Sequence, residues 1–141
     1  MYFKPLLLPL LAQVLLTFIV LYTMGRKRVN ELKRKKINPQ RADVRTHSSE
    51  VFKDAATASD NYHNQFESPL LFYIAIMLTL MLMVQDYVLV ALAWTFVGLR
   101  YIHSFIHITY NRVLHRFSVF VFSSVILFAL WIRLGWIIIQ S

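Results

Sequence analysis

Long apolar runs alternate with short polar connections along this chain, and the runs set its elements. Leu6 to Met24 holds 19 residues, which as a helix cover roughly 28 Å, about one bilayer core. It reads as a first membrane span, retained rather than cleaved, because the run is long for a signal peptide and no small-residue cleavage site follows. A second span is expected over 64–84, entered through a polar shoulder. There Asp60, His63, Asn64 and Glu67 fall at i, i+3, i+4 and i+7 and would share one helical face. The short turn Gln85-Asp86-Tyr87 makes the next run, 88–108, an antiparallel neighbour. A second polar connection, Thr109 to Arg116, leads to a fourth span over 117–139. The expected fold is all-α, a four-transmembrane-helix antiparallel bundle forming a single integral membrane domain over 1–141.

Composition sharpens that picture. The chain is 57% hydrophobic, too apolar for a soluble domain of this size when the apolar residues are gathered into runs. The formal charge of +8 could suggest nucleic acid, but most Lys and Arg sit in one block directly after the first apolar run. That is where the positive-inside rule expects them, so residues 25–59 read as a basic cytoplasmic loop and both termini as facing away from the cytoplasm. With no cysteine in the chain, any thiol chemistry must use a sulfur carried by a ligand.

Chemistry concentrates in the third run. Arg100, His103, Ser104, His107 and Asn111 recur at i, i+3, i+4, i+7 and i+11, opposite an apolar side of Tyr101, Ile102, Phe105, Ile106 and Ile108. An arginine deep in hydrocarbon costs about 3 kcal/mol even on a lenient scale, so this stripe must face other helices or a wet cavity. Glu67 is the natural partner for Arg100, either as a structural pair or in a ligand site. His103 and His107 have the spacing of metal ligands, but no H-E-x-x-H pattern is present and the nearby arginine would repel a cation. Ser104 with a histidine base lacks a third member. Arg116 stands at the start of the fourth run, where a cation adds to the partial positive charge of a helix N-terminus and suits an anion.

Four spans in this length, N-x-x-E opening the second, R-x-x-H-[ST] in the third and an arginine opening the fourth together resemble the MAPEG family, the membrane-associated proteins of eicosanoid and glutathione metabolism. The resemblance implies a homotrimer binding glutathione between neighbouring subunits near the cytoplasmic side. It further implies that Asn64 and Glu67 hold the peptide, with Arg100, His103, Ser104 and His107 beside it, and that Arg116 stabilises the thiolate as the catalytic residue. The implied activity is conjugation or reduction of lipophilic electrophiles entering from the bilayer; the alternative is a non-catalytic membrane binding or assembly protein of the same fold. The pattern departs from the eicosanoid enzymes at Asp60, where they carry a glutathione-binding arginine, at His107, where they carry a tyrosine, and at Phe117 and Phe120, which replace hydroxyl residues. In these respects it is similar to the bacterial branch of the family, which implies a bacterial inner membrane.

Overall fold

The computed structural model describes residues 4–36, 38, 52 and 55–140, and every regular element among them is helical. A single 3-10 turn, Lys4–Leu6, leads into α1, Leu7–Lys35. At 29 residues α1 is roughly 43 Å long, so it passes Met24 and takes the first third of the expected 25–59 loop as helix. Arg, Lys, Leu and Glu are good helix formers, and nothing in the basic stretch after Gly25 forbids their continuing the helix. Lys33, Arg34 and Lys35 occupy its last turn, where cations meet the negative end of the helix dipole. Lys36 closes it in the left-handed conformation (φ 50°), its N–H donating to the Leu32 carbonyl. Most of the remaining expected loop lies outside the described residues.

The second run is not one helix. α2, Ala56–Asn64, and α3, Ser68–Met81, are separated at 65–67. Pro69 is the cause: it has no N–H for the Gln65 carbonyl, and its ring would collide with that carbonyl in a continuous helix. At the first turn of α3 the same proline is well tolerated. The shared face expected for Asp60, His63, Asn64 and Glu67 therefore ends at Asn64, and Glu67 sits in the break (φ −92°, ψ −100°).

α4, Tyr87–Ile108, and α5, Val113–Gln140, form the most extensive helix pair of the bundle. Asp86 caps α4, accepting from the Leu89 N–H at 2.9 Å. α5 begins four residues ahead of the expected 117, so Arg116 lies inside its first turn. Three helical stretches among the described residues are long and apolar enough to cross a membrane: Lys4–Lys35, Tyr87–Ile108 and Val113–Gln140. α3, at roughly 21 Å, is shorter than a bilayer core and is not a fourth by that measure.

The interior is divided along its length. Near the α3–α4 turn it is apolar, with Leu6, Phe72, Ile76, Leu89, Phe96, Leu130 and Leu134 fully buried and the Phe72 and Phe96 rings stacked at 4.8 Å. Arg133 on α5 donates to Asp86 at 2.6 and 3.1 Å at this end. Towards the other end of α4 the buried residues become polar. Gln13 donates to Gln65 Oε1 (3.1 Å), Gln65 to Ser104 Oγ (3.1 Å), and Ser104 to Asn61 Oδ1 (3.1 Å), a chain that ties α1, the break, α4 and α2. Tyr101 adds a bond to the Ala12 carbonyl (2.8 Å).

The basic part of α1 is held as well. The buried carboxylate of Glu31 accepts from the Ala55 N–H at 2.9 Å and pairs with Lys35. Arg28 donates to Ser59 Oγ at 3.0 Å and lies 5.2 Å from the Phe52 ring centroid, while Lys27 reaches the Ile108 carbonyl at 3.5 Å. The charge block therefore packs α1 against α2 and the end of α4.

Candidate functional site

The helix break, the last turns of α4 and the first turns of α5 enclose a crevice of about 220 Å³ lined by Asn64, Glu67, His103, Val113, Arg116, Phe117 and Phe120. Each element has a reason to deliver its residue there. Pro69 ends the helical run before α3, which leaves Glu67 exposed at the crevice rather than packed on a helix face. Asn64 is the last residue of α2, and its carbonyl, one of those a helix C-terminus leaves without an internal partner, accepts from Arg100 Nη2 at 2.6 Å. Arg116 reaches the crevice because α5 starts at Val113, which places it in the first turn of the helix.

Arg100 itself is fully buried behind this wall, and its Nε and Nη1 have no hydrogen-bond partner in the protein. Glu67 and Arg100 do not form an ion pair; the carboxylate acts on the guanidinium through space. The expectation of direct pairing is thus replaced by a relay in which Arg100 grips the α2 terminus beside Glu67.

His103 and His107 both act on Arg116. His103 donates from Nδ1 to the Arg116 main-chain carbonyl (3.2 Å), a bond that fixes its tautomer and leaves a buried, unpartnered Nε2 as an acceptor. Its ring lies 6.0 Å from that of Phe120. Arg116 Nη1 donates to His107 Nε2 (3.1 Å) and to Asn111 Oδ1 (2.9 Å). Among the described residues no group of three or more His, Cys, Asp or Glu is arranged to hold a metal.

Of the residues singled out by sequence, Asn64, Glu67, His103 and Arg116 come together at the crevice. Arg100 and His107 stand behind it, each in contact with a lining residue. Ser104 is elsewhere: it is buried in the Gln65 and Asn61 network and turns away from the crevice lining. Sequence reasoning missed Gln13, Asn61 and Gln65. A lone amide in the apolar run of α1 is a signal that could have found Gln13, since a polar group at membrane depth needs a partner. The site can offer an anion the Arg116 cation, offer an ammonium group the Glu67 carboxylate, and offer an apolar group the Phe117 and Phe120 rings.

A family model described as the MAPEG family matches residues 6–136, nearly the whole chain. Comparisons with curated proteins and with solved structures return no match.

Proposed function

From the premise that this chain belongs to the MAPEG family and is a membrane protein, we propose that it is a glutathione-transferase-like protein acting on lipophilic electrophiles that arrive through the bilayer. The observation that carries this reading is the convergence of Arg116, Glu67, Asn64 and His103 on one crevice. These residues fit a zwitterionic peptide thiol: a carboxylate for its amino group, an amide for its backbone, and a cation for its sulfur. The unpartnered buried Nε2 of His103 adds polar capacity at the same wall. Glutathione, when bound, supplies the thiol nucleophile. Arg116 favours the ionised sulfur by placing a positive charge beside it, which is what makes a thiol reactive at neutral pH. Phe117 and Phe120 give that side of the crevice an apolar wall, and covering it on binding would strengthen the cation's effect.

At about 220 Å³ the crevice falls below the roughly 300–1,000 Å³ usual for a ligand site. The proposal therefore includes a second protomer as the missing wall, in a homotrimer, and a fourth membrane crossing made by α2 and α3 in series. The positive-inside rule would put this end of the bundle at the cytoplasmic face, with both termini opposite.

A second reading is an assembly protein without turnover. The Gln13–Gln65–Ser104–Asn61 chain favours it, because it links three helices and the break with no help from a ligand. The two separate by titrating detergent-purified protein with glutathione and following thiolate absorbance in the ultraviolet. A signal lost in Arg116→Ala is the expected result; no binding at millimolar glutathione sinks the transferase reading and leaves the assembly one.

A further inference from the structure

We infer that His107 and Asn111 are positioning residues for Arg116, and that the neutral imidazole of His107 keeps the guanidinium at the crevice, so that protonating His107 releases the arginine and weakens anion capture. The inference rests on the proposed role of Arg116 as the group that meets an anionic sulfur.

The geometry is specific about the protons. A guanidinium only donates, so His107 Nε2, 3.1 Å from Arg116 Nη1, must accept, and the ring proton of the neutral form must sit on Nδ1. Asn111 Oδ1 takes a second bond from the same Nη1 at 2.9 Å. Asn111 is not free to wander: it is left-handed (φ 43°) in the turn between α4 and α5, and its N–H donates to the Ile106 carbonyl at 2.8 Å. His103, one turn before His107, holds the main chain of the same arginine. Arg116 is thereby gripped at its backbone by one histidine and at its side chain by the next.

A proton taken up by His107 goes to Nε2, the one nitrogen with a lone pair. The Nη1 bond is then lost, because two donors face each other. The groups around His107 decide how the new charge is received. On its own helix they are Arg100 and His103, on α5 Arg116, and on α2 Asp60, so one carboxylate stands against two permanent cations. The imidazolium and the guanidinium repel, and the partner with room to move is Arg116, which is partly exposed where His107 is buried. Asn111 alone then holds it.

Two measurements test this on the detergent-solubilised full chain. In nitrogen NMR spectra of histidine-labelled protein, His107 should carry its proton on Nδ1 at neutral pH, and Arg116→Ala should abolish that preference. A proton on Nε2 in the unsubstituted protein overturns the inference. In glutathione titrations, His107→Phe, which lacks an acceptor, should lose the thiolate signal by about tenfold or more. His107→Gln, which has an acceptor but cannot titrate, should keep more of it and show a one-proton acid limb where the wild type shows two. A His107→Phe protein with the full wild-type signal also overturns the inference. If the wild type gives no thiolate signal at any pH, the glutathione reading fails by itself, and the tautomer spectra decide the positioning of Arg116 independently.

Discussion

Gln65→Leu is the most discriminating single change outside the crevice. Gln65 is 1% exposed and sits in the helix break, where its side chain accepts from Gln13 and donates to Ser104. Leucine is of similar size, so the cavity contribution is small and the polar contribution dominates. Ser104 retains a partner, because its hydroxyl still donates to Asn61. Gln13 does not: its Oε1 is already unpartnered and its Nε2 loses its acceptor, which leaves a fully buried amide with no side-chain bond. Orphaning one buried polar group costs about 1–3 kcal/mol, so that is the expected loss. Removing both partners with apolar groups of like shape is nearly neutral, so Gln13→Leu combined with Gln65→Leu should recover most of it. Unfolding by sodium dodecyl sulfate, followed by helical circular dichroism, measures both variants. A double variant at least as destabilised as Gln65→Leu, or a single variant within about 0.5 kcal/mol of wild type, the scale of an average interhelical bond in a membrane, would refute the reasoning.

Two further outcomes follow from polar contacts at the two ends of the bundle. Burial works against the charged form of Asp86, yet the Leu89 amide and the Arg133 guanidinium outweigh it and hold the carboxyl below its ordinary range. A carboxyl lowered on folding stabilises fully above its unfolded value of 3.8 and loses that contribution as pH falls through the folded value. Stability should therefore decline below about pH 4 in the wild type, and Asp86→Ala should flatten that decline while costing about 1 kcal/mol at neutral pH as a lost cap. At the other end, Glu31→Ala removes the acceptor for the Ala55 N–H, so the Ala55 amide should exchange with deuterium at least about tenfold faster while amides in the α4 core are unchanged.

How much of this was legible depends on what ends each helix. α4 lies within one residue of the expected 88–108 because an apolar run and a capping aspartate coincide there. The density of charge after Met24 predicts a loop beginning at Gly25. Yet a helix made of Lys, Arg, Leu and Glu has no reason to stop at that boundary, and Glu31 gives it a buried anchor. The apolar run over 64–84 continues in sequence past Pro69, whereas the structure starts a new helix there. The crevice residues Asn64, Glu67, His103 and Arg116 could be named from spacing and resemblance, but the assignment of Ser104 could not be made that way. Consecutive residues point about 100° apart on a helix, so His103 and Ser104 belong to one stripe in sequence and face different neighbours in space. One turns to α5 and the other to α2 and the break.

The proline that interrupts the second run also bears on the lipid. With its first turn at Ser68, α3 is roughly 21 Å long where hydrocarbon is about 30 Å thick. On the proposed crossing of α2 and α3 in series, the break at 65–67 falls inside that thickness. Acyl chains cannot hydrogen-bond the main-chain groups that a break exposes, so protein must meet them, and the Arg100 bond to the Asn64 carbonyl meets one.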